Sequence, residues 1–252
     1  MTFPFTTLLA SSFLFLVAVP LPWVHATVPR QWKKAHATFY EGSSTSYGGA
    51  CGYDDIARQG YGDTAAVSTA MFKDGLTCGA CYEIRCVDSP QWCKRGQPVL
   101  HVTATNHCPG GSGDGWCSPP KKHFDLAKPS FAKIVTDFKA GVVPVEYRRV
   151  RCKKNGGIKV KMTGNPYYNA AWVYNVGGAG NVVAVQVKSG NSPVWKEMKR
   201  EWGQKWVLND KIDEGDLSFR VHTSDGKVVT ASSVCPKGWQ YGQTFQAHQN
   251  FA

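Results

Sequence analysis

The nine cysteines are the residues whose type and spacing point most directly to chemistry. All of them except Cys235 lie between Cys51 and Cys152. Two chemistries fit such a cluster: ligation of zinc by thiolates, or disulfide bridges in an oxidising compartment. A zinc site would draw its donors from Cys78, Cys81, Cys86, His101 and His107. The choice depends on where the protein resides, because secretion removes the reducing conditions that keep thiolates free.

The N-terminal segment favours the second chemistry. Residues 1–26 contain no Lys, Arg, Asp or Glu, and an apolar stretch over 8–19 precedes Val24-His25-Ala26. This pattern is typical of a secretory signal peptide that is cleaved after Ala26. A membrane anchor is the alternative, but the stretch is shorter than the roughly 20 residues that a span needs. We therefore expect a signal peptide over 1–26, a secreted protein without a transmembrane span, disulfide bridges and no metal.

The composition indicates two domains that meet after Cys152. The 252-residue chain is 42% hydrophobic and 19% charged, which excludes wholesale disorder. Cysteines nearly vanish after the polar connector 153–157, so we expect domains over 27–152 and 153–252. The net charge of +11 favours acidic polymers as partners. Secretion and the lack of a nucleic-acid-binding motif argue against nucleic acid.

Short β-prone runs between glycine-rich loops predict an all-β chain. In the first domain these runs cover 36–40, 66–71, 81–86, 99–105 and 145–152. In the second domain they lie near 158–163, 169–176, 181–188, 194–199, 205–209, 217–222 and 227–233, the pattern of a β-sandwich. One amphipathic helix is expected after Pro129, because apolar residues follow at helical spacing and Gly141 stops the run. Those apolar residues are Phe131, Ile134, Val135 and Phe138.

Several motifs resemble the plant expansin family, and the α-type most closely. In the first domain they are Ala35-His36-Ala37-Thr38-Phe39-Tyr40, Gly49-Ala50-Cys51-Gly52-Tyr53, Cys78-Gly79-Ala80-Cys81, His123-Phe124-Asp125-Leu126 and Pro144-Val145-Glu146-Tyr147-Arg148-Arg149-Val150. In the second domain they are Tyr174-Asn175-Val176-Gly177-Gly178-Ala179-Gly180, Trp202-Gly203-Gln204-Lys205-Trp206 and Gly242-Gln243-Thr244-Phe245. The resemblance runs through essentially the whole mature chain in the same order.

The resemblance implies a six-stranded double-psi β-barrel related to family-45 endoglucanases, followed by an immunoglobulin-like β-sandwich that binds cellulose-type surfaces. It implies a secreted protein of the plant cell wall that loosens the wall at acidic pH without clear hydrolysis and without a cofactor. Cellulose and xyloglucan are the expected partners, acidic pectin is a further candidate, and we expect a monomer. The implied disulfides are Cys51–Cys78, Cys81–Cys152, Cys86–Cys93 and Cys108–Cys117. Cys235 remains, either as a buried free thiol or for an intermolecular bridge.

The expected groove residues supply only one of the two carboxyl groups that a glycoside hydrolase needs. Inverting hydrolysis of a glycosidic bond needs an acid and a carboxylate base about 6.5–9.5 Å apart. Asp125 resembles the family's acid, and Thr38 and Tyr40 match its substrate-facing strand, with His123 beside them. At the position that is acidic in some relatives this chain has Asn106, whose amide cannot accept a proton as a base. We therefore favour a function without hydrolysis.

Other interpretations of these residues remain open. From the sequence alone, Asp125 is better explained as a turn carboxylate that bonds to nearby backbone amides. Three acids are candidates for a rescuing base, although their neighbours are typical of a solvated loop: Asp54, Asp55 and Asp63. Two histidines flank the groove and titrate near acidic pH, but a structural role is favoured over a pH trigger for both: His107 and His123.

Sugar binding by the second domain requires exposed ring faces. The candidates are Tyr167, Tyr168, Trp195, Trp202 and Trp206, with Lys161 as a polar contact beside them. The resemblance favours one strip made of Tyr167/Tyr168 and Trp202. Packing in the sandwich core is the alternative for each ring. Because Tyr167 and Tyr168 are adjacent, an ideal strand would bury one of the two.

The sequence thus leaves three functions. The leading one is a protein that weakens non-covalent adhesion between wall polysaccharides, with Asp125 as the central groove residue. The second is a β-1,4-glucanase or lytic transglycosylase-like enzyme that uses Asp125 as its general acid. The third is a passive lectin-like defence or matrix protein whose barrel is inert.

Overall fold

The computed structural model describes residues 31–41, 49–54, 56, 59–111, 113, 115–190, 192–212 and 215–252. The expected signal peptide, 1–26, lies outside these residues. No helix in the described part of the chain is long and apolar enough to cross a membrane.

Six strands of the first domain close into a barrel. They are β1 (Lys33–Tyr40), β2 (Thr64–Ser68), β3 (Cys81–Cys86), β4 (Leu100–Cys108), β5 (His123–Ala127) and β6 (Val143–Val150). Their order around the barrel is β1-β5-β2-β4-β3-β6, and the pairs β1–β5 and β2–β4 are parallel. Alternate side chains fill the interior: Phe124 and Leu126 of β5 are fully buried, which stabilises the fold by roughly 1.5–3 kcal/mol each. This is the six-stranded double-psi β-barrel that the resemblance implies.

Four disulfides fix the loops of the barrel domain. They join Cys51 to Cys78, Cys81 to Cys152, Cys86 to Cys93 and Cys108 to Cys117. The zinc alternative is therefore wrong, since Cys78 and Cys81 belong to two different bridges. Cys235 is a buried free thiol in the second domain, and burial raises its pKa to about 12. It therefore stays protonated and packs as an apolar side chain.

Eight strands of the second domain form the sandwich. They are β7 (Lys159–Asn165), β8 (Tyr168–Tyr174), β9 (Val182–Ser189), β10 (Lys196–Trp202), β11 (Lys205–Leu208), β12 (Leu217–Thr223), β13 (Val228–Cys235) and β14 (Thr244–Gln246). Their hydrogen-bonded order is β13-β12-β9-β10-β11-β8-β7-β14. Strand β10 belongs to both sheets, because residues 196–198 pair with β9 whereas 199–202 pair with β11. The apolar core of the domain includes Val160, Met162, Val185 and Phe219.

The prediction of one amphipathic helix after Pro129 is wrong. The chain forms only a four-residue helix, α2 (Lys128–Phe131), a turn, and a 3₁₀ turn over Phe138–Ala140. Between them Val135 pairs with Cys93 as an isolated bridge, and Asp137 adopts an extended conformation. The apolar spacing therefore comes from two separate turns, whose Phe131 and Phe138 rings stack 6.4 Å apart. The other helix, α1 (Thr69–Phe72), is equally short.

The two domains share a packed interface. Tyr53 of the barrel domain and Tyr174 of the sandwich are buried against each other with ring centroids 5.9 Å apart. Gly180 has a φ of +76°, and a Cβ there would lie 2.2 Å from the carbonyl oxygen of Gly79. Backbone of one domain thus touches backbone of the other, which only glycine permits at this conformation. Asn181 adds a hydrogen bond across the boundary, from its side-chain amide to the carbonyl of Leu76 at 2.9 Å.

Candidate functional site

Three polar side chains form a hydrogen-bonded chain on the barrel. Strands β1 and β5 are parallel, and their register places Thr38 beside Asp125 and His36 beside His123. The Thr38 hydroxyl donates to Asp125 Oδ1 at 2.7 Å, and the same hydroxyl oxygen lies 2.8 Å from His123 Nε2. Asp125 lies in the middle of β5, so the interpretation of it as a turn carboxylate is wrong.

The direction of this chain fixes the protonation of His123. Because Thr38 gives its proton to Asp125, the Thr38 oxygen accepts from His123, whose Nε2 must carry a hydrogen. His123 Nδ1 is buried and has no hydrogen-bond partner among the described residues. A second proton there would be a buried N–H without an acceptor. Accordingly, burial lowers the pKa of His123 to about 4, with a smaller contribution from His36.

Asp125 is poised to hold a proton more readily than an exposed carboxyl. Burial raises its pKa above the ordinary 3.8, and the hydrogen bond from Thr38 opposes this rise. Tyr40 follows two residues after Thr38 and therefore points to the same side of β1. Burial also raises the pKa of Tyr40, to which the Asp125 carboxylate contributes, so its hydroxyl stays protonated. The groove thus offers one carboxyl with hydroxyl and imidazole donors around it.

The acids considered as rescuing bases have other partners. Asp54 pairs with Lys161 across the domain boundary, and Asp63 binds Lys133 at 2.8 Å and the Ser130 hydroxyl at 2.8 Å. Asp55 lies outside the described residues. Among the described residues, no carboxylate contributes to the pKa of Asp125.

Asn106 has a structural contact that links the groove to the second domain. Its Oδ1 accepts from the backbone N–H groups of Ala50 and His107, both at 2.8 Å. The loop that it holds continues to Gly52, where a Cβ would lie 2.0 Å from the ring of Trp172. Asn106 therefore positions a loop that touches the sandwich.

His107 makes its side-chain contacts with α1 (Thr69–Phe72). Its Nε2 lies 3.0 Å from the Thr69 hydroxyl, and its ring stacks on Phe72 with centroids 4.5 Å apart. Burial lowers the pKa of His107, so its neutral form is favoured.

Trp116 is a groove-side residue that the sequence reasoning missed. It is 41% exposed and lies 4.4 Å from the His36 ring and 6.2 Å from the His123 ring, measured between centroids. The Cys108–Cys117 disulfide closes the loop that carries it. A tryptophan next to a bridged cysteine in a glycine-rich loop was the available signal.

The sandwich presents an aromatic face made of Tyr168, Trp172 and Trp202, and Tyr167 lies in the turn just before Tyr168. Tyr167 is 78% exposed and Trp202 is 43% exposed, whereas Tyr168 and Trp172 are half-buried. Neither tyrosine of the adjacent pair is buried, because Tyr167 lies in the turn before β8 begins at Tyr168. Trp172, which the sequence reasoning also missed, packs edge-to-face on Trp202 with centroids 5.2 Å apart.

An ion pair holds Tyr168 in the aromatic face. The Tyr168 hydroxyl donates to Glu201 at 2.8 Å and accepts from Lys205 at 2.8 Å, and Lys205 also pairs with Glu201 at 2.7 Å. The hydrogen bond from Lys205 lowers the pKa of Glu201. Glu201 therefore stays ionised in mildly acidic solution, and Tyr168 keeps its orientation there.

Three residues that were expected to contact sugar lie away from the aromatic face or bind another side chain. Trp206 is only 3% exposed and packs in the sandwich core, with its Nε1 donating to Gln204 at 3.3 Å. Its placement on the strip is wrong, since neighbours on a strand point to opposite faces and Lys205 points outward. Trp195 is also off the strip: its ring lies under Arg220 and Lys188, on the other sheet. Lys161 lies beside Trp172 and binds Asp54.

No three His, Cys, Asp or Glu side chains of the described residues converge into a group that could hold a metal ion. The fold and site together define a class of two-domain proteins: a double-psi β-barrel with a polar groove, joined to a β-sandwich with an exposed aromatic face. Residues 64–147 match the barrel family model described as "Lytic transglycolase", and residues 158–236 match the model "Expansin C-terminal domain".

Comparison with individual proteins identifies the family. The chain is 51% identical to Expansin-A32 of Oryza sativa subsp. japonica, covering 87% of this chain and 84% of that protein. It is 52% identical to Expansin-A22 of Arabidopsis thaliana, covering 87% and 80%. The chain belongs to the expansin family, and these relatives are of its A group.

Solved structures agree with this fold. The apo crystal structure of a Clavibacter michiganensis expansin superposes with a TM-score of 0.68 at 19% identity, covering 88% of this chain and 98% of that one. A mutant of the same bacterial protein in complex with cellohexaose gives a TM-score of 0.67, also at 19% identity, with the same coverage.

Proposed function

We propose that this chain is a secreted expansin that loosens the plant cell wall by disrupting non-covalent adhesion between polysaccharides, at acidic pH and without hydrolysis. The observation that carries the proposal is the hydrogen-bonded set His123–Thr38–Asp125, whose three members supply one carboxyl group and no second carboxylate. Cellulose and xyloglucan are its proposed polymers, and the protein acts as a monomer without a cofactor.

Acid dependence follows from the raised pKa of Asp125. As the pH falls through that pKa, the carboxylate takes up a proton and changes from an acceptor only into a donor as well. A neutral Asp125 then donates to a glucan oxygen that would otherwise bond to a neighbouring polymer. His123 remains neutral down to a pH of about 4, so the hydrogen bond to Thr38 keeps its direction over this range.

The aromatic face supplies the affinity. Flat rings cover the C–H faces of pyranose units, and burying about 100 Å² of ring surface offers roughly 2–3 kcal/mol before ordering costs. Tyr167, Tyr168 and Trp202 are exposed enough to act in this way. The cellohexaose complex of the bacterial relative supports a β-glucan as ligand. Gly52 touches Trp172 and Trp202, so the face begins at the edge of the barrel domain.

An enzyme is the second candidate, favoured by the barrel family model and by the raised pKa of Asp125, which suits a general acid. Such an enzyme would be a β-1,4-glucanase or a lytic transglycosylase-like protein. It would need a second carboxylate, or a bound nucleophile, across the groove from Asp125.

An Asp125→Asn variant tests the proposal. Asn keeps the shape and still accepts from Thr38, but it has no proton to gain on acidification. We expect it to lose acid-induced extension of heat-killed wall strips. Asp88→Asn is the matched control, because Asp88 is exposed and has a left-handed backbone that asparagine tolerates. Full extension by the Asp125→Asn variant would contradict the role of Asp125.

A further inference from the structure

A cleft of about 620 Å³ opens between the two domains. Barrel residues that include Lys33, Lys73 and Tyr147 line one wall, and Asn181 and Val183 of the sandwich line the other. The lining includes none of the three hydrogen-bonded groove residues (Thr38, His123 and Asp125) and no residue of the aromatic face. Its volume is in the range of sites for small ligands.

Hydrogen bonds to uncharged acceptors hold the two walls of this cleft in place. Arg149 of β6 reaches across to the carbonyl of Ala179 and, at 2.6 Å, to Asn181 Oδ1. Ser224 donates to the same Asn181 oxygen at 2.7 Å, and the Arg149 guanidinium lies over the Tyr82 ring at 5.2 Å. The cleft is therefore preformed, and a ligand pays little to order it.

The cleft carries an excess of positive charge. Exposed lysines stand around it, and none of them pairs with an acid among the described residues: Lys33, Lys73 and Lys122. Within the described part of the chain, the side-chain hydrogen bonds of Arg149 go only to uncharged groups, whereas the charge of Arg148 is balanced by Glu83. The one carboxylate in the lining, Asp225, accepts a hydrogen bond from Thr223 at 2.7 Å. Four unbalanced cations thus face one carboxylate.

The remaining lining is apolar or aromatic. Tyr82 and Tyr147 are almost buried, and the exposed Leu76 and Val183 side chains are each 42% exposed at the cleft. Cations together with apolar surface suit a ligand that combines carboxylates with C–H faces, which is the chemistry of a uronic acid sugar. A compact inorganic anion would leave the apolar wall unused.

We propose that this cleft binds an oligosaccharide of uronic acids, with its carboxylates at Lys33, Lys73 and Lys122. The cleft shares no residue with the groove or the aromatic face, so a negative result for this proposal does not affect the proposed glucan binding, and the reverse also holds. Binding weakens as salt is added, because the lysines are exposed to solvent. It also requires ionised carboxylates, so methyl-esterified oligomers do not bind.

The test is titration calorimetry of the full secreted chain with hexagalacturonate at low salt and pH 5.5. Charge reversal of the three lysines (Lys33→Glu, Lys73→Glu, Lys122→Glu) is expected to weaken binding at least tenfold. The matched control reverses three exposed lysines elsewhere, with the same change in net charge: Lys139, Lys211 and Lys237. We expect the control to stay within about twofold of the parent. A Lys→Gln version of the cleft triple serves if the Glu version fails to fold.

Three results would overturn the proposal. They are unchanged affinity in the cleft triples, an equal loss in the control triple, and equal binding of the methyl-esterified oligomer by the parent chain. Trp202→Ala separates this site from the aromatic face. It should lose retention on cellulose while keeping affinity for hexagalacturonate, and a parallel loss of both would contradict a separate cleft.

Discussion

Replacing His123 by glutamine should reduce the loss of folding stability that acidification causes. In the native protein His123 is 1% exposed, and burial lowers its pKa from 6.5 to about 4. Unfolding exposes the ring, which then takes up a proton below about pH 6.5. Between these two pKa values the unfolded state binds more protons than the native state, so stability falls as the pH falls.

The size of the effect follows from the two pKa values. At pH 5 the unfolded imidazole is almost fully protonated and the native one almost neutral, which costs about 2 kcal/mol relative to pH 7.5. Glutamine does not titrate, and its amide N–H can still donate to the Thr38 hydroxyl. The variant should therefore lose about 2 kcal/mol less stability than the parent on going from pH 7.5 to pH 5.

Urea unfolding at the two pH values measures this difference. With a slope of about 2 kcal/mol per molar, the midpoint of the parent should fall by about 1 M more than that of the variant. The exposed His248→Gln is the matched control and should behave like the parent. Comparing pH values within each variant cancels any loss of packing that the substitution causes. An identical midpoint shift in parent and His123→Gln would refute the neutral, buried imidazole.

The remaining predictions concern the sandwich and the interface. Trp202→Ala should weaken retention on cellulose in a pull-down about tenfold with an unchanged melting temperature, since only a half-exposed ring is lost. Trp206→Ala should instead cost about 3–5 kcal/mol in a denaturation assay, because Trp206 fills the core; a stable Trp206→Ala with poor retention would reverse the two roles. Gly180→Ala should cost about 2 kcal/mol or more, since its Cβ would meet the Gly79 carbonyl. An unchanged melting temperature for Gly180→Ala would show that this contact relaxes freely.

The barrel strands with clear alternation could be predicted from the sequence, but β5 could not. His123–Ala127 is five residues long and precedes Pro129, so local pattern favours a turn at Asp125. Its pairing with β1 is a parallel contact between distant segments, which no local signal encodes. The hydrogen bonds of Thr38 depend on that register and were therefore equally hidden.

The helix expected after Pro129 shows the opposite error. Spacing of Phe131, Ile134 and Val135 fits one helical face, yet the chain buries them in three different settings. They are α2, the turn after it and the isolated bridge to Cys93. Periodicity reports which side chains are buried, and a short compact loop can bury the same set.

The two tryptophans of the Trp202-to-Trp206 segment could have been separated from the sequence. Gly203 has a φ of +49°, and Trp202 pairs with Lys205 across a tight hairpin. Cross-strand partners share a face, so Trp202 points outward with Lys205 and Trp206 points inward. Trp172 needed more than parity, because its exposure depends on the loop at Gly52 from the other domain.

The most direct test of the central claim records two quantities on one heat-killed wall strip. They are the extension of the strip and the cleavage of its polysaccharides. The strip is held under constant load at acidic pH with the purified protein, and new reducing ends are counted in the bath and in the strip. A groove with a single acid predicts sustained extension with reducing ends at the level of the buffer control. Reducing ends that rise in proportion to extension, and vanish with Asp125→Asn, would contradict loosening without hydrolysis.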